Sequence, residues 1–514
     1  MTLQASGAIT LADIQTEFGG ANPISLSEYY AGGGLVPAGT GSIPTSGLIS
    51  IGTFYGTSSA PEYWIITTPV YTDDASCRDF SFDSTPSSDG KLYIVGQPGY
   101  VNSYGTLNGW FLTKTQQKAL TIESTIVVDS NNGGGAYVLT DSSNNVFVAH
   151  TNLVTVNGVS VTGISLTKYN SSGAFQWGKT IGSSIIVGAK AYIAGLVFDS
   201  SGNIYIAGSI NYNSNVVVAK YNSSGTLQWL NVVGATSTYN MQITNNRSLS
   251  IDSSNNLYLS LLAYTSSNSQ YRPVTISFTD AGVIIASRRI ISFGGVANGA
   301  PTHGGQVISP GYRHTASSLA LATSYADLIY ELWSNVETPA LQNRSCLSAG
   351  TGGRLYVCSI SKDSSNNIYI AANFTTGASV GQPADTSYGV LVKYSMWGTL
   401  QWQRKFTTTA GAAIVLTGVN VDSPTTLIVT GRRATTAFNG GTALTMRLPI
   451  DGSKTGTYGN YIYSASSFAF GSGSPTTVGT ASPTLTTVPS TTQSIDTTIT
   501  VNTTKILTPT ITGI

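Results

Sequence analysis

The sequence predicts an all-β protein: seven repeated four-stranded units between a small N-terminal module and an extended C-terminal arm. Two recurring phrases and one change of composition lead to this. The first phrase reads DSSNNVFVAH from Asp141, DSSGNIYIAGS from Asp199, DSSNNLYLSL from Asp252 and DSSNNIYIAAN from Asp363, with weaker copies from Asp83 and Asp422. The aspartates are 58, 58, 53, 111 and 59 residues apart. The long step is about twice the others and leaves room for one degenerate copy near His314, so the count is seven with a period of about 56.

The second phrase follows as KYNSSGAFQW from Lys168, KYNSSGTLQW from Lys220 and KYSMWGTLQW from Lys393, with weaker versions from Ser277 and Arg447. Both phrases place Asp, Asn, Ser and Gly between two apolar or β-branched runs, which signals a hairpin. Asn and Gly accept positive φ, and Asp or Ser caps the turn with its own side chain. Two hairpins give four strands. Four strands and about 56 residues per unit match a propeller blade. The two phrases together resemble the bacterial β-propeller repeat related to the NHL type, over roughly residues 63–465. The expectation is a seven-bladed β-propeller over 61–465. Either YWIITT from Tyr63 or GNYIYS from Gly459 would supply the strand that joins the last blade to the first. Trp177, Trp229 and Trp402 recur at one blade position, which indicates core packing and not sugar stacking.

Residues 1–60 form a different unit. Up to residue 57 they hold Asp13, Glu17 and Glu28 but no Lys or Arg, and they echo internally as ITLADIQTEFGG, ISLSEYYAGG and ISIGTFYGTS. Thr10 with Asp13, and Ser25 with Glu28, have capping-box spacing, so two short helices are expected there. Gly19-Gly20 and Gly32-Gly33-Gly34 end them. A unit this small is expected to bury no core of its own and to expose Phe18, Tyr29, Tyr30, Phe54 and Tyr55 for docking onto a partner. The stretch Ile9 to Gly56 also resembles the N-terminal module of tailed-bacteriophage structural proteins, notably those of marine cyanobacterial phages. The resemblance implies a virion component that attaches to the particle through Phe18, Gly19, Gly20, Pro23, Glu28, Tyr29, Tyr30, Phe54 and Tyr55.

Residues 466–514 are rich in Thr, Ser and Pro, with Ile and Val spaced among them. They read as an extended arm that adds a strand to a neighbouring subunit. Ile495, Ile499, Val501 and Ile506 are its expected contacts.

Composition narrows the function classes. Charged residues are 9 % of the 514, against roughly 25 % in an average globular protein. Formal net charge is +1 and no basic patch stands out, so nucleic-acid binding is not expected. The three cysteines, Cys77, Cys346 and Cys358, make no disulfide framework. The start lacks a basic, apolar leader and no apolar run reaches membrane length. Assembly in a host cytoplasm into a virion is the expected localisation, with no membrane span. His150, His303 and His314 have no metal-ligand spacing, and DSSNN offers too few carboxylates for calcium, so no metal, no cofactor and no catalytic residue is expected. The reading is a non-enzymatic virion protein of tail, fibre or particle surface. Its expected partners are other virion proteins, further copies of itself, and a host-surface receptor or glycan reached through Tyr-rich loops near Tyr100, Tyr104, Tyr239 and Tyr264. The alternative is a polysaccharide-acting enzyme or glycan-binding adhesin built on the same propeller.

Overall fold

The computed structural model describes residues 3–4, 6–31, 33, 35–36, 43–55, 57, 63–68, 80–97, 110–116, 122–128, 135–156, 159–182, 191–210, 215–235, 239–242, 249–265, 270–291, 306–308, 314–322, 325–333, 341–348, 354–375, 388–434, 441–471, 477–479, 485–487, 493–496 and 510–513.

The N-terminal module begins with helix α1 (Leu11–Phe18), which starts where the capping box was expected. The Asp13 N–H donates to the Thr10 hydroxyl at 3.2 Å, and the Thr10 N–H donates to the Asp13 carboxylate at 2.8 Å. Gly19 ends the helix at φ 79°. Ser25 caps only a 3-10 turn, Leu26–Glu28, and the third echo forms another, Ile51–Phe54.

The rest of the described chain is antiparallel sheet, with a short strand β1 (Trp64–Thr68) ahead of the repeats. One sheet is β2 (Phe80–Pro86), β3 (Lys91–Gln97), β4 (Trp110–Gln116) and β5 (Ile122–Val128). The next is β6 (Gly135–Thr140), β7 (Val146–Val156), β8 (Val159–Tyr169) and β9 (Phe175–Gly182). A third is β10 (Tyr192–Phe198), β11 (Ile204–Ile210), β12 (Asn215–Tyr221) and β13 (Leu227–Ala235). In the fourth, β14 (Tyr239–Gln242) and β15 (Leu249–Ile251) share the first position, followed by β16 (Leu257–Thr265), β17 (Gln270–Phe278) and β18 (Ile284–Ile291).

A larger sheet combines β19 (Gln306–Ile308), β20 (His314–Ala322), β21 (Tyr325–Trp333) and β22 (Leu341–Ser348) with β23 (Arg354–Lys362), β24 (Ile368–Thr375), β25 (Tyr388–Tyr394) and β26 (Leu400–Thr408). The last group is β27 (Ile414–Ser423), β28 (Thr426–Ala434) and β29 (Gly441–Pro449), to which β1 adds as fourth strand, Trp64 opposite Arg447. The C-terminal part supplies β30 (Gly456–Tyr458), β31 (Tyr461–Ala465), β32 (Ala469–Gly471), β33 (Thr477–Gly479), β34 (Leu485–Thr487), β35 (Gln493–Asp496) and β36 (Thr510–Gly513).

Seven separate sheets joined into a ring are not what the hydrogen bonds draw. Among the described residues they form six sheets, because one parallel bridge, Ala326 to Arg354, fuses β19–β22 with β23–β26, and β30, β31 and β32 bring that sheet to eleven strands. No hydrogen-bonded seam zips one sheet to the next all the way round. The sheets meet face to face through apolar side chains instead. Trp64, Ile66 and Ile428 pack on Leu92, Ile94 and Phe111 of the β2–β5 sheet. Phe147 and Leu166 of one repeat interleave with Ile193 and Ile206 of the next. Burial on both faces explains the mixture of alternating and continuous apolar runs in the strands.

The repeated DSSNN phrase forms the expected hairpin turn. One Asp141 carboxylate oxygen accepts from the N–H groups of Ser143 and Asn145, at 2.9 and 2.8 Å, and the other accepts from the Asn145 amide. Asp199, Asp252 and Asp363 repeat this and also accept from the hydroxyls of Tyr205, Tyr258 and Tyr369. Asp83 breaks the expected equivalence. It lies inside β2, and the matching turn is Ser87 to Gly90, because Gly90 (φ 76°) holds the position of Gly202 (φ 78°).

The C-terminal arm also departs from expectation. Its described strands pair with sheets of the same chain: β32 on β22, β33 on β18, β34 on β13, β35 on β9 and β36 on β1, while β31, just ahead of the arm, pairs with β26 and does not close the ring. Ile495 sits opposite Thr180 of the same chain. The chain's own outer strands offer unpaired N–H and C=O groups, and pairing them costs no association entropy. Ile499, Val501 and Ile506 lie outside the described residues.

Candidate functional site

Residues 1–57 carry the docking residues expected from the sequence, and the structure divides them into two sets. Phe18, Tyr29 and Phe54 are buried and meet edge to face, with ring centroids 6.1 to 6.5 Å apart. They centre an apolar cluster with Leu3, Ile9, Ile14, Ala31, Val36 and Ile43. The expectation that this unit buries no core and exposes these rings is therefore corrected. Three aromatic rings fill a volume that the short helix and turns leave between them, and edge-to-face contact is their favoured geometry. The Tyr29 hydroxyl donates to the Gly19 carbonyl at 2.8 Å, and burial raises its pKa, with the Glu28 carboxylate adding to the rise.

The second set faces solvent. Tyr55 is 39 % exposed and Leu48 is 92 % exposed. Gly19, Gly20, Pro23 and Glu28 are exposed and Tyr30 is half-buried. Tyr30 and Tyr55 donate their hydroxyls to the carbonyls of Gly47 and Gly7, so each ring is held in place at the rim. The result is a rigid apolar rim around a closed core. Sequence reasoning missed Leu48; it is the most exposed large apolar side chain described.

The hairpin turns form a second candidate surface. On it, Lys220 lies between Asp199 of its own repeat, at 3.4 Å, and Asp280 of the next, at 2.5 Å. The Tyr205 hydroxyl donates to both carboxylates. The Asp280 pKa is lowered, first by the hydrogen bond from Lys220 and then by that from Tyr205. Burial raises that of Asp199, but hydrogen bonds from Asn203, Ser201 and Tyr205 outweigh it and leave it lowered. Burial, then the two carboxylates, holds the Tyr205 proton on. One cation between two carboxylates joins two repeats here.

Neighbouring turns are stapled in the same way elsewhere. Lys114 and Lys168 donate to the carbonyls of Ser171 and Ser223 in the following repeat, at 3.0 and 3.1 Å. The Ser88 and Ser200 N–H groups donate to Asn144 and Asn255, at 3.0 and 3.3 Å. Trp177, Trp229 and Trp402 each lie against a turn glycine of the next repeat: Gly225, Gly282 and Gly452. The expected core position is thus corrected to a half-buried one at the contact between repeats, packed on the core clusters.

Among the described residues no group of three or more His, Cys, Asp or Glu could hold a metal ion. His150 is fully buried, its Nε2 2.8 Å from the Thr167 hydroxyl. Burial pushes it down to about 4. Burial pushes the Cys358 thiol up to about 12. His303, Cys77, Tyr100 and Tyr104 lie outside the described residues. No helix among the described residues is long and apolar enough to cross a membrane.

Residues 176–214 match the β-propeller repeat family (SBBP). No curated protein matches the chain. Similar solved structures include the α-L-arabinofuranosidase Arb93A of Fusarium graminearum, at 11 % identity over 75 % of this chain and 98 % of that one, TM-score 0.39. Another is the polysaccharide lyase Uly1, at 9 % identity over 72 % and 90 %, TM-score 0.37. A third is the Nup133 β-propeller domain of Vanderwaltozyma polyspora, at 10 % over 69 % and 97 %, TM-score 0.36. The β-propeller repeat expected from the sequence is thus found, while the virion resemblance of residues 9–56 has no counterpart here. The expectation of a non-enzyme is corrected. A glycosidase and a lyase stand among the similar structures.

Proposed function

We propose that this chain is a seven-bladed propeller fixed to a particle by its N-terminal module and turned toward a host-surface glycan. The observation that carries it is the module's own core, which among the described residues draws only on 3–54, with Leu48 and Tyr55 exposed. A unit that folds on its own core and keeps an apolar rim suits attachment. The resemblance of Ile9 to Gly56 to phage virion modules supports a tailed-phage particle as its site. The seven-blade count rests on seven groups of four strands, with β1 as the fourth strand of the last. The domain limits proposed are 1–60 and 61–465, with the C-terminal segment 466–514 belonging to the propeller and not to a neighbour.

The glycan as target, bound or cleaved, is favoured by one group of side chains. Phe374, Tyr388 and Phe468 form a half-buried aromatic stack, its closest rings 4.7 Å apart, with the Lys405 ammonium 6.0 Å from the Tyr388 ring. Stacked rings beside a cation suit a sugar face.

The test is deletion of residues 1–57, followed by purification of particles and of the free truncated protein. The truncated protein should keep its thermal transition and vanish from particles. Incorporation at normal copy number would sink the docking assignment. Incubating the full chain with host-surface polysaccharide, and assaying retention and new reducing or unsaturated ends, separates binding from cleavage.

A further inference from the structure

We infer that the described C-terminal strands β31 to β36 form an intramolecular belt that follows the outer edges of the sheets backward and holds the ring shut. The attachments follow one another in reverse chain order: β26, β22, β18, β13, β9 and finally β1. The walk starts on the strand group β23–β26 and ends on the group β27–β29 with β1, the one that follows it in sequence. It therefore makes a circuit.

Its spacing is regular. Strands β32, β33, β34 and β35 begin at residues 469, 477, 485 and 493, a constant step of eight. Eight residues span at most roughly 26 to 29 Å, so the constant step sets the same upper limit on the distance between successive edges. The step from β35 to β36 is about double, 493 to 510. One sheet, β2–β5, lies between those two attachment points, packed against both neighbours. The sequence carries the same register: Ser474-Pro475-Thr476 and Ser482-Pro483-Thr484 recur eight residues apart, ahead of β33 and β34. Proline lacks an N–H, so it fits between short strands and not within them.

Each attachment is only three to five residues long, and such a strand is marginal alone. Linked in one chain, the attachments act at high effective concentration, and releasing one leaves the others bound. Separating any two neighbouring sheets then requires peeling the belt at that point. The belt also covers part of each outer edge, which would otherwise template pairing with another chain.

Two cysteine pairs test this, each in a chain whose three native cysteines are replaced by Ala: Lys179→Cys with Asp496→Cys, and Ile290→Cys with Val478→Cys. Both pairs are directly opposed across a belt strand and an outer strand. Oxidation at low protein concentration should give an intramolecular disulfide in a monomer. The oxidised chain should then unfold in denaturant at least about tenfold more slowly than the reduced chain. Disulfide-linked dimers would overturn the proposal in favour of an arm exchanged between copies. No disulfide, or equal unfolding rates, would overturn the belt as a lock. If the cysteine variants fail to fold, hydrogen exchange on the unaltered chain decides. Amides of 477–479, 485–487 and 493–496 should be protected in the monomer, and rapid exchange there would also overturn it.

Discussion

At Gly225 the backbone of one hairpin lies on the Trp177 indole of the preceding repeat. A Cβ there would stand 2.8 Å from the ring, and φ is +82°. Two costs coincide. Overpacking costs about 1–3 kcal/mol, and an L residue in the left-handed region roughly 1–2 kcal/mol. Gly202 has the same backbone (φ +78°) with nothing nearby. Gly225→Ala should therefore lower stability clearly more than Gly202→Ala in parallel denaturant titrations. Equal losses would mean that the indole yields freely. His150 gives a pH prediction. Its folded pKa of about 4 lies below the ordinary 6.5, so between those values the unfolded chain binds a proton that the folded chain refuses. Stability falls as pH drops through that window, by up to about 1.4 kcal/mol per pH unit. Asp199, Asp280 and Asp363 have lowered values and act later, around and below their ordinary 3.8. In His150→Gln the slope between pH 6.5 and 4 should flatten, while the acid loss below pH 4 stays.

At the scale of elements, the N-terminal module should melt independently of the sheets. Phe18 and Phe54 are buried in a cluster confined to residues 3–54. Phe18→Ala should cost the module about 3–5 kcal/mol and unfold it, while the transition of the strands stays where it was. Proteolysis followed by mass spectrometry reads both at once; a single shared transition would contradict a separate core. The local features of these elements were legible in the sequence. The Thr10–Asp13 cap and the Asp141, Asp199, Asp252 and Asp363 turns are made by side chains two to four residues from their partners, so spacing alone encodes them. Features that need distant partners were not. Phe18, Tyr29 and Phe54 read as exposed because their convergence depends on the path of residues between them. The described belt strands read as an arm for a neighbouring subunit because their partners lie on outer strands far earlier in the chain. Asp83 read as a turn residue because four residues of offset still left a plausible DS phrase.

At the scale of the molecule, the seam between the last and first sheets carries a side chain that reaches three of them. Asp83, on β2, accepts from the Val138 N–H on β6 and from the Asn420 amide on β27, each at 3.1 Å. It is 1 % exposed. Removing its carboxylate leaves buried donors on two neighbours without that acceptor, at about 1–3 kcal/mol each. In an array of stacked repeats, stability divides into unit and nearest-neighbour terms, so a fault at one junction is felt most by the units that share it. Asp83→Ala should lower hydrogen-exchange protection in β2–β5, β6–β9 and β27–β29 more than in β10–β13. A belted ring adds a second expectation. With the C-terminal segment in place the weakened seam stays shut, and the chain remains a monomer of unchanged radius. In a chain that ends at residue 466 the same substitution should open the seam, seen as a larger radius in small-angle scattering and as self-association through freed strand edges. If Asp83→Ala were equally mild with and without residues 467–514, the seam would hold by face-to-face packing of Trp64, Ile66 and Phe111 alone, and the belt would add nothing there.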